Sequence, residues 1–181
     1  MAMQAVREQA NVSRYVPGDE AGFYESYFLR ANDPVRPLAF WIRYTLFSPR
    51  RRPSEAVGEL WAVWFTGESG RNVAVKKTVP LADCHFDPAC FDVRLGDAVL
   101  GPDGLQGRAA SGGHHITWRL EYGGDQPPLF LLPLKSYTAR FPRAKSLVGL
   151  PMARFNGFLA VDDQRMDIAD WVGSQNHNWG S

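Results

Sequence analysis

Apolar residues in this chain come in short alternating runs, cut at roughly 8 to 12 residue intervals by turn signals, and this pattern restricts the fold more than any other feature. The cleanest run is His115 to Tyr122, where Ile116, Trp118, Leu120 and Tyr122 oppose His115, Thr117, Arg119 and Glu121. A period of two sends one set to a core and the other to water, which is a half-buried strand. Leu38 to Phe47 repeats the pattern, with Leu38, Phe40, Ile42, Tyr44 and Leu46 on one fully apolar face. Gly58 to Phe65 runs apolar on both faces and stops at the polar turn Thr66 to Gly70, so residues 72–81 read as its hairpin partner. Shorter runs follow at Phe91 to Gly96, Leu105 to Ala110 and Leu129 to Leu132, the last read as a buried run before Pro133. Residues 154–161 and 165–171 flank Asp162-Asp163-Gln164 as a final hairpin, and helix is indicated only near Val6 to Asn11 and Tyr137 to Phe141.

Seventeen glycines and thirteen prolines fall between these runs and not inside long amphipathic stretches. The expected fold is therefore all-β and antiparallel, a lipocalin-like barrel or a strongly curved sandwich. Aromatic residues on both sides of Leu60 to Phe65 favour a barrel with a ligand-sized interior and packing outside, although a strand inside a domain interface would carry the same pattern.

A chain of 181 residues is one ordinary domain, and 45% apolar content can fill its core. The formal charge of +1 supplies no global field for a phosphate backbone, so no nucleic-acid partner is expected. The apolar run Leu60 to Phe65 is far below the roughly 20 residues of a membrane helix, so no membrane span is expected. Residues 1–14 interrupt any secretory pattern with Gln4, Arg7, Glu8, Gln9 and Asn11, and a cytoplasmic location is the expectation. Cys84, His85 and Cys90 offer soft ligands, with His114 or His115 as a remote fourth, but the spacing matches no zinc knuckle. Two unpaired, partly buried thiols are expected, with no metal and no cofactor.

Phosphate-loop, dinucleotide, nucleophile-elbow and zinc-protease motifs do not occur. Arg50-Arg51-Arg52 could hold a phosphate, yet its place between two strands fits a solvated loop. Asp162 and Asp163 read as a turn, whereas Asp170, beside Trp171 and in parity with Met166 and Ile168, is the candidate buried carboxyl. His177, between two asparagines, reads as a proton donor or as a hydrogen-bonded structural residue. Glu25 faces inward only if Tyr24 and Ser26 face out. Lys76 and Lys145 are expected to reach solvent along their stems. The C-terminal stretch 170–181 carries two Trp, one His and two Asn, too many costly residues for a frayed tail.

Phe23 to Phe28, Ala39 to Arg43, Glu59 to Phe65, Ile116 to Trp118, Phe141 to Ser146 and above all His177-Asn178-Trp179-Gly180 together resemble the first half of the AttH-like proteins, relatives of hydroxyneurosporene synthase (carotenoid 1,2-hydratase) and more distantly of tocopherol cyclase. The resemblance implies two lipocalin-like barrel halves packed together around a hydrophobic pocket, with water addition or ring closure on an isoprenoid. It divides this chain into an extension at 1–22, a lipocalin-like domain at 23–172 and a segment at 173–181 leading toward a second half. The partners then expected are a hydrophobic small molecule and either a second lipocalin-like domain or a homodimer mate.

Alkene protonation needs an acid in a water-poor pocket, and the carbocation is stabilised by aromatic faces. Asp170 and His177 are accordingly the expected acids. Trp41, Trp61, Trp64, Trp118, Tyr122 and Trp171 are expected to supply faces, joined by Glu25, Asn178 and Trp179 as ligand contacts. The same aromatics would also serve a binding or scaffolding domain with a filled core and no chemistry.

Overall fold

The structure is a computed structural model; it describes the backbone of residues 2–68 and 70–181 and the side chains of 4–68 and 70–181. Helix α1 spans Ala2–Asn11 and is followed by β1 (Phe23–Asn32), β2 (Leu38–Ser48), β3 (Val57–Thr66) and β4 (Val73–Pro80). Three short strands come next, β5 (Cys84–Phe86), β6 (Val93–Leu95) and β7 (Ala98–Leu100), and then β8 (Gly104–Ser111) and β9 (His114–Gly123). The chain finishes with β10 (Leu129–Phe130), the one-turn helix α2 (Lys135–Thr138), and the long strands β11 (Lys145–Val161) and β12 (Gln164–Gly180).

All strands join one antiparallel sheet in the order β4-β3-β2-β1-β12-β11-β9-β8-β7-β6-β5, with β10 added to β11. The sheet curls until β4 comes back to β8, where the Lys76 backbone N–H donates to Ser111 Oγ at 3.0 Å. The result is a nearly closed lipocalin-like barrel. Closure follows from twist accumulated over many strands and covers most of the edge that a flat sheet would expose. Among the described residues no helix is long and apolar enough to cross a membrane.

Alternation read from the sequence sets the inside of the barrel. Phe40, Ile42, Tyr44 and Leu46 of β2 are buried, as are Ile116, Trp118, Leu120 and Tyr122 of β9. The interior is packed with an aromatic stack. Trp171 lies 5.8 Å from Trp64 and 6.0 Å from Phe40, and Phe155 meets Phe40 edge-on at 5.4 Å and Tyr122 face-on at 5.5 Å. Two polar handles of the interior are satisfied internally: Trp118 Nε1–H donates to Tyr44 Oη at 3.1 Å, and Tyr44 donates to the Val99 carbonyl at 3.0 Å. Burial pushes the Tyr44 and Tyr122 hydroxyls above their ordinary range, so both remain protonated donors.

The structure changes several of these expectations. Leu129 and Leu131 are exposed, because β10 contributes only two residues to the sheet before the chain turns away. Cys90 is exposed and free, and only Cys84 is half-buried. β12 continues through Trp171 to Gly180 and pairs with both β1 and β11. The final turn holds as read: Asp162 and Asp163 adopt φ of 46° and 69°, the left-handed pair that a tight hairpin needs.

Candidate functional site

One end of the barrel is built differently from the aromatic middle. β1 turns Glu25, Tyr27 and Leu29 inward, and β12 turns Gln175, His177 and Trp179 inward beside them. The register sets Tyr27 opposite His177 and Glu25 opposite Trp179. Glu25 and His177 are both fully buried, and His177 Nε2 lies 2.9 Å from Glu25 Oε1.

The segment after α1 closes over this pair. Ser13 Oγ–H donates to Glu25 Oε2 at 2.6 Å and the Arg14 backbone N–H donates to Oε1 at 2.8 Å. His177 Nδ1 faces the Ala10 carbonyl at 3.1 Å, and Gln175 Nε2 donates to Asn11 Oδ1 at 2.9 Å. Gly149 makes room for that contact, because a Cβ there would run into Gln175 Oε1 and the Asn11 amide.

These partners fix the protons. A carbonyl only accepts, so His177 Nδ1 carries a hydrogen. Ser13 Oγ accepts the Tyr15 N–H at 3.2 Å and gives its own hydrogen to Glu25, so Oε2 is an acceptor. The short contact between Nε2 and Oε1 then holds a single proton, giving either imidazolium with carboxylate or imidazole with carboxylic acid. Either form is a donor held out of water. Aromatic rings enclose it: Tyr27 stacks on His177 at 4.2 Å, Trp179 lies 4.6 Å from His177, and the Arg14 guanidinium sits 5.4 Å from the Trp179 ring centre. Burial also pushes the Tyr27 hydroxyl well above its ordinary range.

On the far side of Trp179 lies a cleft of ≈ 790 Å³, walled by Phe23, Phe47, Leu131 and Leu132, with Asn178 and Arg50 on its lining. Its walls leave apolar surface uncovered, since Phe47 is 44% exposed and Leu131 55%. Glu25 and His177 do not reach the cleft wall; Trp179 stands between.

Of the residues singled out from the sequence, Glu25, His177 and Trp179 come together, and Asn178 joins Trp179 on the cleft. Trp64, Trp118, Tyr122 and Trp171 are interior packing. Trp41 and Trp61 are half-buried on the outer surface, Trp41 beside Phe28 and Arg43 and Trp61 beneath the Lys76 ammonium. Lys76 thus reaches outward, where it pairs with Glu59.

Asp170 is a correction. Its side chain is 70% exposed and bonds Arg154 at 3.2 Å. Phe155 pairs with Trp171 and Gly157 with Ile168, so β12 spends one residue more than β11 over this stretch. Asp170 occupies that bulge with φ of 55°, and parity inverts between Ile168 and Trp171. Ser13, Arg14, Asn11 and Gln175 escaped the sequence reading. Only Gln175 left a trace there, as a polar residue in parity with Trp171, His177 and Trp179.

No family model matches the chain. An uncharacterized protein of Mycobacterium tuberculosis, found alike in strains CDC 1551 and H37Rv, is 26% identical over 160 residues, covering 88% of this chain and 46% of the relative. The chain spans about half the length of the curated relatives it matches. A crystal structure from Nitrosomonas europaea described as an AttH candidate superposes with a TM-score of 0.56 at 13% identity, over 93% of this chain and 57% of that one. Kievitone hydratase from Nectria haematococca superposes with a TM-score of 0.54 at 11% identity, over 96% of this chain and 54% of that one. These likenesses establish the shared lipocalin-like fold.

Proposed function

We propose that this domain binds a hydrophobic small molecule of isoprenoid or lipid type in the cleft beside Trp179. The observation that carries the reading is the cleft itself: ≈ 790 Å³ of space walled by Phe23, Phe47, Leu131, Leu132 and Trp179, within the range of about 300–1,000 Å³ of small-molecule sites. Removing the exposed faces of Phe47 and Leu131 from water supplies the driving force.

Acid chemistry is the further part of the same reading. In a longer protein that places a second barrel against this one, the proton shared by Glu25 and His177 would serve hydration or cyclisation of an alkene, as the resemblance to isoprenoid hydratases and tocopherol cyclase implies. The likeness to kievitone hydratase agrees with a hydratase. Access to the pair requires Trp179, or the segment at Ser13 and Arg14, to move aside. Asp170, solvated beside Arg154, has no part in this scheme.

A second reading, a structural or interaction domain without a ligand, draws support from the filled interior. Titration with farnesol, followed by intrinsic tryptophan fluorescence, separates the two. Saturable binding that weakens at least tenfold in Leu131→Asp supports the first reading. No saturable signal, or one indifferent to Leu131→Asp, would leave the structural reading standing.

A further inference from the structure

Beside the apolar cleft lies a second one of ≈ 550 Å³ with the opposite character. Arg14, Arg50, Arg140, Arg143 and Lys145 line it against one acidic side chain, Asp19, with Ser181 also on the lining. The whole chain carries a formal charge of only +1, so this concentration of cations is local. Asp19, which accepts the Ala21 N–H at 2.8 Å, balances only one of these five cations. Arg14 and Lys145 are anchored to the carbonyls of Gln9 and Pro142, both at 3.1 Å. Arg50, Arg140 and Arg143 are exposed and, among the described residues, make no ion pair.

The two clefts are continuous. Phe23, Arg50, Lys145 and Trp179 line both, so a tail against Phe23 and Trp179 would carry its head directly to Arg50 and Lys145. Like charges gathered in a recess repel one another and focus a positive potential that an anion relieves. Guanidinium forks match phosphate oxygens in a bidentate manner, which favours a phosphate over a monovalent point charge.

We propose that the ligand is an anionic amphiphile, an isoprenoid or alkyl chain ending in a phosphate or diphosphate, with the tail in the apolar cleft and the head among Arg50, Arg143 and Lys145. This rests on the binding reading above and names the class of molecule it takes. The electrostatic part of the affinity is screened by salt, whereas the apolar part is not.

Isothermal titration of the full chain with farnesyl diphosphate, farnesol and inorganic diphosphate tests it, since the three probes share tail or head in turn. Farnesyl diphosphate is expected to bind at least tenfold more tightly than farnesol and than inorganic diphosphate. The advantage over farnesol should shrink to about two-fold or less in Arg50→Ala/Arg143→Ala, while Lys76→Ala on the outer face retains it. Equal affinity for farnesol and farnesyl diphosphate would overturn the head site and leave the apolar site intact. An advantage that survives the double substitution would place the head elsewhere and equally overturn it. Inorganic diphosphate binding as tightly as farnesyl diphosphate would show that the two clefts do not act as one site. Failure of all three probes to bind would sink the apolar reading as well.

Discussion

The middle of this barrel and its Glu25–His177 end are buried to the same degree, yet they are held together by different means. In the middle, Trp118, Trp171, Phe40 and Phe155 bury large rings with few polar atoms, and Trp118 Nε1 is paired with Tyr44 within the stack. At the end, Glu25, His177, Gln175 and Asn11 are equally hidden, and α1 and β1 meet β12 from more than 150 residues away in sequence to form their contacts. A buried ion pair is seldom the most stable solution for a core, because desolvation consumes most of the Coulomb gain. The chain fills one region with tryptophan and phenylalanine and hides an acid, a base and their donors in the other.

The largest effect should come from removing one partner of the pair. Glu25→Ala leaves His177 Nε2, the Ser13 hydroxyl and the Arg14 N–H without their acceptor, and is expected to cost about 3–5 kcal/mol in urea unfolding. Glu25→Leu with His177→Phe removes both members of the pair together. It should cost at least about 2 kcal/mol less than the sum of the two single changes, because the residues are directly coupled. Additive costs would show that the pair is not a unit, and the comparison between the two regions would collapse.

A smaller change is expected in the middle, where a single neutral hydrogen-bond hub is at stake. Tyr44→Phe keeps the ring but strips the oxygen that accepts from Trp118 and donates to the Val99 carbonyl. The cost should be about 1–3 kcal/mol, the penalty for a buried donor left unsatisfied. If Tyr44→Phe proved as damaging as Glu25→Ala in the same unfolding measurement, charge would not be what separates the two regions energetically.

These two regions also differ in how far they can be read from sequence. The middle is legible because a strand has a strict period of two, and Leu38 to Phe47 and His115 to Tyr122 obey it. Where the period breaks, the reading breaks with it. A one-residue bulge at Asp170 is invisible in composition, and it moves the favoured carboxylate to the surface. The end is legible only in part. His177 and Trp179 stand out as costly residues near a terminus, and Glu25 depends on a parity that its neighbours leave open. Ser13, Arg14 and Asn11 could not be found, because they lie in a stretch that reads as an extension and meet partners up to 164 residues away. Long-range pairing of this sort has no local signature.

The smallest expected effect asks whether the middle is as closed as its packing implies. Cys84 lies against the interior cluster, with Sγ 3.2 Å from the Pro80 carbonyl, and burial pushes its thiol up to about 11. At pH 8 only about one molecule in a thousand then carries the thiolate that reacts. Cys90 is exposed, so access alone favours it. N-ethylmaleimide at pH 8 should accordingly add one equivalent at Cys90 in the native protein and reach Cys84 readily only after unfolding, as peptide mass mapping would register. Early labelling of Cys84 would mean that the sheet opens where β5 closes over β3, and that the aromatic middle is entered by solvent. The contrast with the Glu25–His177 end would then be one of composition only, with no difference in closure behind it.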